Sequence, residues 1–400
     1  MNFRVFTYLI ILSTTLSLSA DSFFSSAEQG IGLRQYHTTT RGMGMGGTGL
    51  GMQDSVSLNA YNIAAMRHIP NSRITVLMNY TINQTDFGFQ EVTTRTGYFS
   101  GLHLAIPLQR DKWVLAASLA PYTLVNFSYN QQHTGSLGTY EENTYFKGNL
   151  SRAHLSLVWS PLPQLGISAG MQYYFGTIKD RHWLIFNSQQ LYNSSYELEY
   201  QFHGPGAGFS LEYQPLKALS LGGFVDLKPR LNFFKVSRSP IDFSEEEIQT
   251  KSSLPVFWGV GTSIQPSRRW RINADMAYQQ WSGGFNIQTI NLDRLEDWYH
   301  AGIGIERTHL PQRSRVFLDK IDIRAGASLS NIGYKFNNNA VMEYSGHVGL
   351  GIPFYQEKAR FDIAFIAGIR GDRSQTVAQE KFFRFSFSIS AGELWFQNLR

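Results

Sequence analysis

Near the end of the chain, Phe383, Phe385, Phe387 and Ile389 alternate with Arg384, Ser386, Ser388 and Ser390. A period of two marks a strand with two different faces. Reading the whole chain for this pattern gives about fourteen strands. They fall near 73–81, 97–107, 113–127, 148–160, 165–178, 196–213, 219–235, 254–265, 269–281, 297–308, 320–334, 341–352, 359–371 and 380–396. In the ninth, Trp270, Ile272, Ala274, Met276 and Tyr278 oppose Arg271, Asn273, Asp275 and Gln279. In the thirteenth, Phe361, Ile363, Phe365 and Ile369 oppose Arg360, Asp362 and Arg370.

The connections alternate in length. Gln109-Arg110-Asp111-Lys112, Pro161-Leu162-Pro163-Gln164, Gln214-Pro215-Leu216-Lys217, Gln265-Pro266-Ser267-Arg268 and Tyr355-Gln356-Glu357-Lys358 are short. Between them, 82–96, 128–147, 179–195, 236–253 and 282–296 read as long polar loops. The segment 309–319, with Pro311, breaks the series. Short turns at one end and long loops at the other are the asymmetry of an outer-membrane barrel. A β-sandwich shows the same alternation. Arginines and carboxylates that recur on one face, and tryptophans at the ends of the other (Trp113, Trp159, Trp270), favour the barrel.

Composition sharpens this. Charged residues make up only 16% and aromatics 14%, and no apolar run is long enough for a spanning helix. Apolar surface spread over alternate residues accounts for both. At the N-terminus Arg4, the apolar stretch 5–12 and the small residues Ser17, Ser19 and Ala20 form an export signal over 1–20. The chain contains no cysteine, so neither a lipid-modified cysteine nor a disulfide enters the picture. A net charge of +5 over 400 residues gives no nucleic-acid footprint.

Residues 21–70 do not alternate. They contain Arg41-Gly-Met-Gly44-Met-Gly46-Gly47-Thr-Gly-Leu-Gly51, then Asp54, Asn59 and Asn62-Ile-Ala-Ala-Met66. A glycine-rich stretch ahead of the first strand suits a hatch folded inside the lumen. The opening is similar to that of the FadL/TodX superfamily of outer-membrane proteins, whose pattern is Met-Gly-Gly-small, then Asp, then Asn-Pro-Ala-Gly-Leu, then the first strand; Met45-Gly46-Gly47-Thr48-Gly49, Asp54 and Asn62-Ile63-Ala64-Ala65-Met66 stand in those places. The same opening is similar to the barrel subunits of the type IX secretion system. Ile63 stands where proline is usual and Ala65 where glycine is usual. The resemblance implies a fourteen-stranded barrel over 71–400 with an N-terminal hatch. It also implies passive uptake of long-chain fatty acids or hydrocarbons, or, in the second group, engagement of secreted proteins.

Other constellations weigh less. Gly42-Met-Gly44-Met-Gly46-Gly47 fits a dinucleotide fingerprint only formally, because no strand–helix context surrounds it. His154 and Ser156 could form a nucleophile pair, but their parity points them inward and a third group is not evident. No spacing of His, Asp or Glu resembles a metal site. Inward parities collect Arg73, Arg152, Lys228, Arg230, Arg271, Arg324, Arg360, Arg370 and Arg384 with Glu212, Asp226, Asp275, Glu306, Asp322, Glu343 and Asp362. Buried charges must pair, so a network filling the lumen is expected, with Lys228 and Arg230 as candidates for a ligand carboxylate. In the sixth strand the apolar parity switches from even (Tyr196 to Phe202) to odd (Ala207 to Tyr213) across Gly204-Pro205-Gly206. A bulge is the expectation there, one that either only adjusts the barrel's shape or opens a gap in the wall beside Pro205.

The reading is an all-β, transmembrane antiparallel barrel of the Gram-negative outer membrane, with both barrel ends periplasmic, and neither an enzyme nor a cofactor protein. Hatch and kink supply the ligand-binding or gating candidates: Gly44, Gly46, Gly47, Asp54, Asn59, Asn62, Gly204, Pro205, Gly206, Lys228 and Arg230. The expected partners are outer-membrane lipid and lipopolysaccharide, and a small hydrophobic ligand held in an apolar pocket between hatch and loops. The alternatives are a barrel that binds secreted proteins, or a structural barrel with a closed lumen.

Overall fold

The structure, a computed structural model, describes residues 22–26, 31–135, 138–186, 192–238, 245–284, 294–309, 316–354 and 358–393. The export signal, Pro311 and the Trp395-Phe396 end lie outside them. Fourteen antiparallel strands close into a barrel. They are β1 (Ser72–Asp86), β2 (Glu91–Gln109), β3 (Trp113–Gly135), β4 (Gly138–Leu162), β5 (Leu165–Phe186) and β6 (Ser194–Leu216). Then come β7 (Leu219–Asp226, resuming as Arg230–Arg238), β8 (Glu245–Ser253, resuming as Phe257–Ile264), β9 (Trp270–Gln279) and β10 (Trp298–Arg307). The last four are β11 (Asp322–Phe336), β12 (Asn339–Phe354), β13 (Ala359–Arg370) and β14 (Gln379–Glu393). β14 pairs with β1 from Glu393↔Ser72 to Gln379↔Asp86, which leaves the sheet no edge at the seam.

Parity sets the faces. On β9, Trp270, Ile272 and Met276 are exposed on the outside, while Asn273, Asp275 and Gln279 are buried inside. On β4, Leu155, Leu157 and Trp159 point out and His154 and Ser156 point in. Trp113 and Trp159 stack at the short-turn end with ring centroids 5.8 Å apart, as an interfacial girdle requires.

Two expectations are corrected. The segments 82–96, 128–147 and 179–195 are largely strand, as are 236–238 and 245–253: β1 and β2 pair out to Asp86↔Glu91, β3 and β4 down to Gly135↔Gly138, β5 and β6 out to Leu184↔Ser194, and β7 and β8 out to Arg238↔Glu245. At about 3.3 Å per residue and a tilt near 40°, the 25 residues of β4 rise about 60 Å, whereas the 10 of β10 rise about 25 Å, roughly the height of the membrane's apolar band. The barrel is therefore lopsided, with β3 to β6 forming a tall wall. On its outer face the apolar Met171, Tyr173 and Phe175 give way to Lys179 and Arg181, which pair with Glu197 and Glu199. That switch marks where lipid ends.

The second correction concerns β6. Its pairing with β5 runs without a shift through Gln172↔Gly206, Tyr173↔Pro205 and Tyr174↔Gly204, so Gly204-Pro205-Gly206 is not a bulge. Even-numbered residues face inward along the whole strand. Tyr200 and Phe202 are buried inside, whereas Phe209, Leu211 and Tyr213 are exposed outside. The apolar side inverts because the surroundings do: lipid lies outside the lower strand, and a packed apolar interior lies inside the upper one. The interruption sits in the next strand, at 227–229. There β6 passes from Gly208↔Asp226 to His203↔Asn232, and only the Leu227 N–H reaches across, to Ala207 O at 2.9 Å. Pro229 has no donor to continue the ladder. Gly204 lets the Arg230 carbonyl lie where a Cβ would stand, so the backbones close the break.

At the loop end β11 and β12 join through Asn337-Asn338, both at positive φ (48° and 61°), the conformation of a two-residue type I′ hairpin. The inner ends of β3 to β7 there contribute Tyr122, Val125, Phe146, Tyr174, Ile178, Tyr200, Phe202 and Phe233 to one large apolar cluster. With cysteine otherwise absent, Lys179→Cys in intact cells is expected to react with a membrane-impermeant maleimide and Met171→Cys is not. Equal protection of both would place the charged ladder in lipid, and labelling of Lys179→Cys only after permeabilisation would put the tall wall in the periplasm.

Candidate functional site

Residues 31–69 lie inside the barrel and are almost wholly buried. Ser22 starts at the loop end, where its hydroxyl donates to Glu380 (2.8 Å) and accepts from Arg370 (2.7 Å). From there the chain descends to Ile69 and enters β1 at the short-turn end.

The glycine run is seated backbone to backbone. A helical turn at Thr40–Met43 is capped by Thr39, whose hydroxyl accepts from Gly42 N at 2.8 Å. The chain then turns through Gly46 and Gly47, both at φ +74°. A Cβ on Gly46 would stand 2.4 Å from Ala327 O and 2.6 Å from Ile303 O. On the wall, a Cβ on Gly304 would stand 2.4 Å from Met45 Cβ. Gly44 meets Gly349 in the same way, and Gly47 lies against the His300 ring. The wall is thus bare of side chains where the segment presses on it. Three barrel side chains bond the backbone of the glycine run: Asp275 accepts from Gly49 and Leu50 N (2.6 and 2.7 Å), His300 donates to Gly46 O (3.1 Å) and His347 donates to Met43 O (2.6 Å).

Asn59 and Asn62 tie the two limbs of the segment together. Asn59 donates to Gly49 O (3.0 Å) and Asn62 to Leu50 O (2.5 Å), and Asn59 Oδ1 accepts from the N–H groups of Tyr61 and Asn62. These bonds hold the fold of the segment.

Beneath this lies the charged floor. Arg41 donates to Asp54 (2.8 Å) and Glu306 (2.5 Å), and Glu306 also accepts from Arg324 (2.8 Å). Arg324 and Arg360 share Asp322 and Asp362, and Arg271 lies 3.6 Å from Glu306. Four arginines face four carboxylates. Burial pushes the Asp54 carboxyl up, but Arg41 and Arg360 outweigh it and hold it well below the usual carboxylate range. Nearby, Glu212 takes Arg67 (2.5 Å), and Asp226 takes Arg152 (2.5 Å) and Gln172.

Lys228 and Arg230 are exposed at the break in β7 and do not join the inward network, because 227–229 interrupts the parity that placed them inside. Ser156 Oγ and His154 Nε2 are 2.6 Å apart and inward, but among the described residues His154 Nδ1 has no partner to orient it, and Gly170 lies directly over the serine. The pair lacks the third group of a nucleophilic site. Arg34 escaped the sequence reading. Its guanidinium lies 3.5 Å from the Tyr122 ring centroid and 4.5 Å from that of Phe257, in a segment with no periodicity to assign it a face. Above it, Tyr36, Tyr61, Phe224, Phe257 and Trp298 pack ring against ring where the ligand pocket was expected.

The profile of the BamG family matches residues 2–400. The chain belongs to the BamG family. No curated protein matches its sequence. Among solved structures, this family member is similar to a Pseudomonas aeruginosa FadL homologue, at 13% identity over 90% of this chain and 99% of the other, with a TM-score of 0.63. It is similar to the Pseudomonas putida toluene transporter TodX at 14% identity, over 91% and 100% of the two chains, with a TM-score of 0.57. The CymD monoaromatic hydrocarbon channel stands at 12% identity, over 90% and 99%, with a TM-score of 0.57. These likenesses give the fold, that of the outer-membrane FadL-like barrels.

Glu306→Gln leaves two buried arginines short of a partner, so unfolding in denaturant is expected to lose about 3–5 kcal/mol. A loss below about 1 kcal/mol would show that the floor does not hold the segment. The depressed Asp54 makes its contribution complete above the ordinary carboxylate value of about 4 and lost as pH falls below it. Proteolysis within 31–69 is therefore expected to rise as pH drops from about 5 to 3, and less so in Asp54→Asn, which lacks that titration.

Proposed function

We propose that this BamG-family chain is a sealed outer-membrane barrel that works by docking other envelope or secreted proteins, with no cargo in its lumen. The filled interior carries this reading. Rings from the wall and from residues 31–61 pack the loop-end half, and the ion pairs of Arg41, Arg324 and Arg360 close the other. Beside the rings lies a cavity of about 70 Å³, bordered by Arg34, Arg370 and Arg384. That is about half the roughly 150 Å³ which accepts a benzene ring when the lining is apolar.

The tall wall is the surface suited to a partner. In the proposed orientation it stands above the outer leaflet and both barrel ends face the periplasm. Tyr145 and Trp183 form an exposed edge-to-face pair there, 6.4 Å between centroids, next to Arg181. Exposed aromatics beside arginine are the commonest anchors of protein interfaces.

A second reading keeps passive uptake of a small hydrophobic compound. It is favoured by the fold shared with a toluene transporter and a hydrocarbon channel, and by the break in β7 beside Pro205. On that reading Gly204, Pro205, Gly206, Lys228 and Arg230 would border a lateral exit.

One pair of measurements separates the two. A photo-crosslinking residue at Trp183 or Tyr145 in cells is expected to give discrete protein adducts, and one at Met171 none. Liposomes carrying the purified protein are expected to take up labelled toluene no faster than empty ones. Facilitated uptake without adducts at 145 and 183 would overturn docking in favour of transport.

A further inference from the structure

The 70 Å³ cavity between the aromatic cluster and the glycine run carries an excess of unspent positive charge. Arg34 is 7% exposed and gives Nη1 to the carbonyls of Tyr122 (2.8 Å) and Gln35 (3.1 Å). Its Nε and Nη2 are buried with no acceptor, as is Nε of Arg384. Neither guanidinium has a carboxylate bonded to it among the described residues, although both line the cavity.

The carboxylates nearby are committed elsewhere. Glu343 accepts from Arg370 Nε and Nη2 (2.8 and 2.5 Å), and Glu380 accepts from Arg370 Nη1 (2.7 Å), Ser22 and Phe23 N. Among the described residues three guanidinium groups thus meet two carboxylates, and one positive charge is left over. The imidazoles around the cavity do not alter this. His300 and His347 each donate to a backbone carbonyl of the glycine run, and His37 bonds Asn79. A buried guanidinium with idle N–H groups is costly unless an acceptor reaches it. The space exceeds the roughly 10–15 Å³ that one water requires, so an ion with a little hydration fits.

We infer that this cavity is a binding site for one small monovalent anion of halide size, held by Arg34 and Arg384. The anion neutralises the excess charge and locks the upper limb of the N-terminal segment to the wall. It is a structural ligand and is independent of any cargo or partner.

The test uses the full-length protein in detergent, with bromide as the probe. Crystals grown in sodium bromide are expected to show an anomalous peak in the cavity, within hydrogen-bond reach of Arg34 and Arg384, and to lose it in Arg34→Met. Heat-induced unfolding is expected at a lower temperature when bromide or chloride is replaced by gluconate, too large for the cavity, at equal ionic strength. Readdition of halide should restore it. Formate in a third arm separates a halide site from a short-carboxylate site: restoration by formate but not by halide overturns the halide assignment. Should Arg34→Met fail to fold, Arg384→Met and the wild-type anion exchange still decide. A cavity without an anomalous peak, together with the same unfolding temperature in gluconate and in bromide, overturns the inference.

Discussion

Glu306 is the carboxylate on which the interior depends. It has no exposed surface, and it binds Arg41 of the N-terminal segment and Arg324 of the wall at once. In the lumen of a barrel each charge must find its opposite inside. That requirement fixes where Arg41 stands, and with it the helical turn at Thr40–Met43 that carries it. The turn sets the glycine run against the bare wall at Gly304, and the next limb carries Tyr61 up into the aromatic cluster. Charge pairing at one end therefore positions apolar packing at the other.

The strands were legible because lipid outside and polar lumen inside make a clean period of two over the height of the membrane. Where that contrast fails, so does the pattern. Above the membrane, water replaces lipid, and the exterior of β5 and β6 becomes Lys179, Arg181, Glu197 and Glu199. The hydrogen-bonded ladder continues there, but it leaves no alternation to read, and the stretch looks like loop. β6 makes the same point within one strand. Its apolar residues change sides between Phe202 and Phe209 although its register with β5 never slips. Hydrophobic parity reports the surroundings of a strand as much as its twist.

The site was legible in part, for a related reason. Strand parity placed Glu306, Asp322, Arg324, Arg360 and Asp362 inside, and pairing followed from burial alone. Extrapolating that parity through 227–229 misplaced Lys228 and Arg230, since a proline removes the ladder that maintains it. The glycines of the wall read only as weak strand positions. Gly304 and Gly349 acquire a role once Met45 and Gly44 lie opposite them, a contact across more than two hundred residues. Arg34 left no trace at all, because an irregular segment has no face.

A closed ladder and its filling are separable properties. The ladder sets the diameter and brings the chain near TodX and CymD in fold at 14% and 12% identity. The filling decides whether a path exists. Here the loop-end half of the lumen is apolar and packed, and the other half is polar and paired. Moving the N-terminal segment would part Arg41 from Glu306 and strip Asp275 of its two backbone donors. Each of these leaves a buried charge unpaired, the costliest kind of rearrangement in a protein interior. The state in which Arg41, Arg324 and Arg360 all keep their carboxylates is the closed one. If the barrel docks partners, they meet it where its surface departs most from a simple membrane span, along the tall wall of β3 to β6.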